Sequence, residues 1–269
     1  AYRAGGEPAA AIVTTYGDPN NPRYLMAAAW SDAITYTYAA EVAGVIGPVV
    51  VEMQSIGTEE SPSEFDLYVP GLLALAIIML MFTAAATVIK EKDRGTLVRL
   101  RISNMTTFEW FVAVTLLQLA LGVLAVALTL LTTMLFGYQP VASLSALAVV
   151  TALSSFAIIG ISFLVAAWLR TIFDLMTIGC FPFFILMFFS GAMFPLPPVR
   201  VFELAGRSVN VNDVLPVTHS IAAFDAILNR GAGLGDIRFE LAAITVLSVG
   251  FLTTGTLWFT KRHMSAGRV

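Results

Sequence analysis

The sequence predicts an all-α polytopic membrane protein, a bundle of helices whose solvent is lipid. Three observations predict it. Hydrophobic residues make up 58% of the 269-residue chain, charged residues only 12%, and the mean hydropathy is +0.83. Charged side chains are about half as frequent as in a soluble domain, too few to clothe a surface that faces only water. The apolar residues are also gathered into five long uncharged runs, each close to or above the roughly 20 residues a helix needs to cross the hydrocarbon. The basic residues are gathered as well, in short segments bordering certain of those runs.

The runs are Val69–Ile89, Phe111–Phe136, Val141–Leu169, Leu175–Met193 and Leu241–Thr260. Gln118 is the most polar side chain of the second. Arg170 ends the third, Pro182 interrupts the fourth with Pro195 just beyond it, and Lys261-Arg262-His263 stops the fifth. Short basic loops stay in the cytoplasm. The segment after the first run carries Lys90, Lys92, Arg94, Arg99 and Arg101, and the C-terminal tail carries Lys261, Arg262 and Arg268. Counting crossings from an inside Lys90–Asn104 puts Gly137–Pro140 outside, Arg170–Asp174 inside, Phe194–Glu240 outside and the tail inside. Both strongly basic segments thus fall on one side, as five spans from residue 69 onward require.

The same count places residues 1–67 outside, as an extracellular or periplasmic segment with nine acidic and two basic residues. No apolar run precedes them to carry them across, so a sixth, earlier span is expected to be missing from this sequence. Ala9–Tyr16 and Pro48–Ile56 have the β-branched, apolar character of strands. The turn cluster Gly17–Pro22 separates the first of them from a helical stretch, Arg23–Val45, with Leu25, Trp30 and Ile34 spaced for one face. Residues 1–67 are therefore expected to form a small, partial α/β extracellular head, and residues 68–269 the transmembrane domain.

Two segments carry mechanism. The first, about 90–104, is too polar to span and too patterned for an irregular loop. Leu97, Leu100 and Ile102 alternate with Arg94, Arg99 and Arg101, which predicts a short amphipathic helix at the cytoplasmic interface. Such a helix can lie on lipid headgroups or dock a cytoplasmic partner; Glu91 and Asp93 among the cations favour docking. Thr106 and Glu109 have the spacing of a capping box that starts the next helix. The second segment, about 194–238, holds Pro195, Pro197 and Pro198, then Leu215-Pro216, a helical stretch Thr218–Asn229, and Gly231, Gly233 and Gly235. It reads as one or two half-helices dipping back into the outer leaflet, tolerated at that depth only against protein or water; a plain external loop is the alternative.

Several chemistries lack their residues. The three lysines are Lys90, Lys92 and Lys261, none follows glycine, and so no phosphate-binding loop is present. No run carries a central Asp, Glu, Lys or Arg, which disfavours an ion-coupled carrier or ion channel. His219 and His263 lie far apart and outside the runs, which argues against a metal site. No catalytic constellation is visible, and Cys180, the sole cysteine, has no partner for an internal disulfide.

In their order, these segments resemble the permease subunit of type-2 ABC transporters. The likeness covers about residues 65–260. It rests on Phe65-Asp66-Leu67-Tyr68-Val69-Pro70-Gly71-Leu72-Leu73, on Glu91-Lys92-Asp93-Arg94-Gly95-Thr96-Leu97-Val98-Arg99-Leu100, and on Ser190-Gly191-Ala192-Met193-Phe194-Pro195-Leu196 with Leu215-Pro216-Val217-Thr218-His219. The resemblance implies a six-helix bundle, of which five spans are present, in a cell membrane of the prokaryotic plasma or inner type. It implies a coupling helix in which Glu91, Arg94, Gly95, Thr96, Leu97, Arg99 and Leu100 meet a separate ATPase subunit. It implies re-entrant external helices that include Gly191, Phe194, Pro195, Pro216 and His219. Implied partners are two ATPases, which bind ATP and Mg, and a second permease chain, identical or related; no nucleic acid is implied. The implied activity is export of a drug-, lipid- or peptide-like substrate.

A path for hydrophobic or amphiphilic cargo would be lined by Met79, Phe82, Phe183, Phe184 and Met187, where flexible Met and flat Phe suit such cargo; helix packing is the alternative for each. The chief rival function is mechanotransmission, in which ATP work moves the external head and nothing is transported.

Overall fold

The computed structural model describes residues 22–43, 64–95, 106–194, 200–204 and 207–264. By its contacts the chain divides into Ala1–Ser61 and Pro62–Val269. In the first unit the described element is a helix, α1 (Pro22–Ala43), close to the stretch the sequence marks. The two strands expected at 9–16 and 48–56 lie outside the described residues.

The second unit is nearly all helical, with α2 (Glu64–Ile78), α3 (Leu80–Asp93), α4 (Thr107–Leu135), α5 (Leu144–Trp168), α6 (Ile172–Thr177), α7 (Cys180–Phe189), α8 (Pro216–Arg230) and α9 (Arg238–Phe259). Among the described residues five helical stretches are long and apolar enough to cross a membrane: Phe65–Asp93, Phe108–Leu135, Leu144–Trp168, Ile172–Phe189 and Arg238–Arg262. Each contains most of one predicted run.

The ends of these helices follow from local chemistry. The Thr106 side chain accepts from Glu109 N (3.3 Å) while Thr106 N donates to the Glu109 carboxylate (2.7 Å), so the anticipated capping box starts α4. A second capping box, Thr171 with Asp174, starts α6 immediately after α5 ends, and the Asp174 carboxylate also accepts from Arg170 N (3.1 Å). This fixes a turn of a few residues between two spans. The fourth span is broken between α6 and α7. Pro182 has no N–H to return to the Ile178 carbonyl, which accepts instead from Phe181 N at 3.1 Å. Helix α8 begins with Pro216 at its first position and ends on Gly231, whose φ of 65° is the left-handed cap that glycine adopts freely.

The all-α expectation is corrected in one place. Within the 194–238 segment, Arg200–Leu204 (β1) and Arg207–Asn210 (β2) pair antiparallel, Leu204 opposite Arg207 and Phe202 opposite Val209, with an irregularity near Arg200. Val201, Phe202 and Val209 are residue types that favour strands, so the hairpin has a sequence basis that a helix-period reading overlooks. A single 3₁₀ turn, Val211–Val214, leads from β2 into α8.

Helix α5 is the centre of the bundle. Its buried positions include Val150, Ser154, Ile158, Gly160, Ser162, Phe163 and Ala167, and it packs against α2, α3, α4, α8 and α9. One core joins Leu73, Ile77 and Met81 to Ile158, Phe224, Ile227 and Ile244. A second, toward the basic end, joins Val88, Ile89, Trp110 and Phe111 to Phe163, Leu175 and Phe259. The closest contact is between α5 and α9. A side chain at Gly160 would collide with the Leu252 amide, and one at Gly255 with the Gly160 carbonyl. Ser248 Oγ shares its one proton between Ile244 O of its own helix (2.6 Å) and Leu153 O across the same seam (2.8 Å). In lipid no hydrophobic force drives helices together, so small residues and an interhelical hydrogen bond hold this pair through close backbone approach.

Candidate functional site

Two regions bear on function: the end of α3 at the basic side, and the wedge formed by α8 at the other.

Helix α3 carries Lys90, Glu91, Lys92 and Asp93 as its last turn. It closes on Arg94, whose N–H bonds Lys90 O (3.0 Å), and on Gly95, whose N–H bonds Lys92 O (3.1 Å) at a φ of 67°. Arg94 is exposed, Glu91 half-buried. Among the described residues nothing lies within 4 Å of where a Gly95 side chain would start, and its positive φ is the conformation glycine adopts freely. Of the residues expected in a coupling helix, Thr96, Leu97, Arg99 and Leu100 lie outside the described residues. The flanks are well held. Lys92 Nζ donates to Leu169 O (3.2 Å) at the end of α5, and Val88 and Ile89 are fully buried in the second core. Ten residues, 96–105, separate Gly95 from the N-cap Thr106.

At the opposite end, α8 is a strongly two-sided helix. Val217, His219, Ser220, Ala223, Phe224, Ile227 and Leu228 are buried, and it packs against α2, α5 and α9. Ser220 meets Ser154 (Oγ to Oγ 2.7 Å), ten residues past the first residue of α5. At 1.5 Å per residue this contact lies about 15 Å along that helix. His219 Nε2 lies 2.9 Å from Asp213 O, and its ring packs edge-on against Phe239. Near its end, Leu228 O accepts from Val141 N (3.0 Å) in the connection between α4 and α5.

A polar cluster closes this end. Asn229 Nδ2 donates to Asp225 Oδ1 (2.9 Å) and to Asp66 O (3.4 Å), Asn229 Oδ1 accepts from Tyr138 Oη (2.7 Å), and Arg230 pairs with Asp225 at 3.0 Å. Pro70 lies four residues past Asp66 and supplies no N–H to that carbonyl. The helical proline thus provides an acceptor for a side chain from α8. Burial first, then the carboxylates of Asp66 and Asp225, hold the Tyr138 phenol well above its ordinary range, so it stays a neutral donor.

Within the spans, Gln118 is 1% exposed and bridges two threonines of α3. Its amide NH₂ donates to Thr87 Oγ1 (3.3 Å), and Thr83 Oγ1 donates to its carbonyl (3.0 Å). A buried amide at membrane depth requires such partners.

The residues marked as a cargo path divide. Phe82 packs on Phe183 (centroids 5.1 Å), and Phe183 and Met187 are buried in the first core of this chain. Met79 and Phe184 are exposed, at 46% and 48%. Phe184 continues an aromatic row with Phe188 and Phe194 along α7 and beyond. Of the residues expected in re-entrant helices, Gly191 takes a left-handed φ of 86°, Phe194 stacks on Phe188, Pro216 and His219 are buried, and Pro195 lies outside the described residues. Gly71 has the Ala192 carbonyl where a side chain would stand, so the end of α7 lies directly against α2.

The sequence reading did not single out Tyr138, Asn229, Thr83, Ser154 or Ser220. Gln118 was legible as the one amide in an uncharged run. The others are ordinary residue types whose roles come from partners far along the chain.

These features define a class: a multi-pass membrane protein built round one buried helix, with no group of three His, Cys, Asp or Glu side chains gathered as metal donors among the described residues. The family model described as ABC-2 type transporter matches residues 27–228, and the chain belongs to that membrane family. It is thus the transport-permease part of an ABC system, as the motifs around Glu91–Leu100 and Ser190–His219 imply. No curated protein and no solved structure matches the chain.

Proposed function

We propose that this chain is the membrane-spanning subunit of an ATP-driven exporter that moves a hydrophobic or amphiphilic substrate out of the cytoplasm. Energy comes from a separate ATPase pair docked on residues 90–104, and a second permease chain completes the path. The observation that carries this reading is that both flanks of that segment are tied into the bundle, through Val88 and Ile89 on one side and Trp110 and Phe111 on the other. Helix α3 enters it from a fully buried turn at Val88–Ile89, and α4 leaves it through a complete capping box at Thr106. A partner that grips ten residues between two such fixed ends displaces two spans at once. Energy is transmitted only if the partner's groove binds the two conformations of this chain with different affinity.

The wedge supports the external half of the reading. A contact about 15 Å along α5 is about half of a hydrocarbon core roughly 30 Å thick. Helix α8 therefore reads as a re-entrant helix, rising from Ser220 at mid-depth to Asn229 at the outer surface. In this orientation the basic ends of α3 and α9 face the cytoplasm, and residues 1–67 lie outside.

The test is affinity purification of the tagged chain from its native cells, followed by reconstitution in liposomes. The reading expects a nucleotide-hydrolysing subunit to co-purify, and a fluorescent amphiphile to be transported and to stimulate hydrolysis. The double substitution Glu91→Arg with Arg94→Glu should remove the ATPase from the preparation while the chain stays inserted. An undiminished complex with full transport in that variant overturns the docking assignment. Hydrolysis with no transport of any amphiphile favours mechanical signalling instead.

A further inference from the structure

We propose that the chain holds an anionic phospholipid in a defined site at its basic end, between α5 and α7. This inference goes beyond the transport reading and needs only that the protein resides in a bilayer.

The site has an apolar part and a charged part. A groove of about 280 Å³ is walled by Leu164, Val165, Trp168 and Leu169 of the end of α5 and by Ile178, Gly179 and Pro182 of the α6–α7 break, and its lining is almost wholly apolar. The groove exists because the fourth span is interrupted. A straight helix through 178–182 would present side chains along its whole length, whereas the turn at Ile178–Gly179 and the ring of Pro182 leave a recess beside α5. The groove is open to one side, and its apolar walls suit part of an acyl chain.

Three cations converge at its rim, each tied to a residue of the wall. The Arg262 guanidinium lies over the Trp168 ring at 5.6 Å, and Trp168 in turn stacks on Trp258 at 6.1 Å. Lys92 Nζ is bonded to the carbonyl of Leu169. Arg170 is the next residue in the chain, and Arg170 and Arg262 both act on Lys92 through space. Two carboxylates share this neighbourhood, Asp93 and Asp174. The Asp174 carboxylate is engaged by the N–H groups of Arg170 and Thr171, where it caps α6. Those bonds keep Asp174 charged, and three cations against two carboxylates leave the rim a surplus of one positive charge.

The chemistry of the occupant follows. Trp168 is 63% exposed and Trp258 47%, two stacked indoles beside arginines at the end of two apolar helices, which is the arrangement of a membrane–water interface. An arginine laid over a Trp face keeps its edge N–H groups for a phosphate, and the planar fork matches phosphate oxygens. An acyl chain in the groove places its phosphate at Arg170 and Arg262. A net negative headgroup complements the surplus charge, and a zwitterionic one does not.

The experiment is native mass spectrometry of the protein after equilibration in nanodiscs of equimolar phosphatidylglycerol and phosphatidylcholine. Each arginine near an anionic surface is worth roughly a fivefold gain, so the wild-type chain should retain phosphatidylglycerol over phosphatidylcholine by about tenfold or more. Arg170→Gln with Arg262→Gln should abolish the preference. Ile178→Trp, which fills the groove from an exposed position and leaves every charge in place, should lower retained phosphatidylglycerol; monodisperse elution confirms that each variant is folded. Equal retention of the two lipids by the wild type, or undiminished phosphatidylglycerol in either variant, overturns the proposal. Loss of a co-purifying ATPase in the double variant with lipid retention unchanged also overturns it, and assigns the cations to that partner.

Discussion

The contact between Ser154 and Ser220 ties the wedge to the middle of the bundle, and it can be replaced by a covalent bond. In a Cys180→Ala background, Ser154→Cys with Ser220→Cys places two thiols where the hydroxyl oxygens stand 2.7 Å apart, a spacing from which a disulfide forms after a small rotation of each side chain. The bond would close a loop of 66 residues. In the chain-entropy description that loop corresponds to about 4 kcal/mol of stabilisation, large against the usual total for a domain. A protease site inserted at the β1–β2 turn gives the readout. After mild oxidation in membranes and cleavage, the two fragments should run together on a non-reducing gel and separate when reduced. The oxidised protein should survive heating that aggregates the reduced form, and under the transport reading it should lose substrate movement if α8 has to shift. Separate fragments before reduction, with both cysteines reactive toward maleimide in denaturant, would refute the placement of α8 against the middle of α5.

Two further expectations concern the seam and the polar cluster. Gly160→Leu should destabilise the bundle by about 3 kcal/mol or more, because the clash is with the backbone of α9 and not with a movable side-chain tip; a thermal scan in detergent checks it, and an unchanged midpoint sinks the packing argument. Tyr138→Phe takes the donor from the half-buried Asn229 carbonyl and should cost about 0.5–1.5 kcal/mol. The Tyr138 phenol titrates above its unfolded value of about 10. Its contribution is therefore complete below that pH and declines above it, by up to about 1.4 kcal/mol per pH unit. Melting curves at about pH 8 and about pH 11 should show this alkaline decline in the wild type and a smaller one in the Phe variant.

The spans were legible because a charge-free run of this length has few alternatives, and the Thr106–Glu109 box because both of its bonds join residues three apart. What stayed hidden depends on partners that no periodicity reveals. The hairpin at 200–210 sits in a segment whose prolines and later helical pattern suggest only half-helices, and its strands are stabilised by each other. The break at Ile178–Gly179 was half visible through Pro182, but the groove it opens needs α5 alongside. Phe183 and Met187 illustrate the limit for a cargo path. Their types suit a hydrophobic route, yet the same types fill cores, and within this chain both are packed away while Met79 and Phe184 face outward. Nothing at Asn229 in the sequence announces that it reaches back 163 positions to Asp66.

The attachments of α8 have a mechanical property in common. Asp66 O can accept from Asn229 because Pro70 brings no hydrogen to it, and Leu228 O can accept from Val141 because it belongs to the last turn of its helix. The Ser154–Ser220 and Tyr138–Asn229 links join side chains alone. None of these tethers borrows a rung from the internal ladder of a spanning helix. Opening any of these tethers would accordingly leave the backbone bonds of every long helix intact, while Phe224 and Ile227 keep α8 seated in the core.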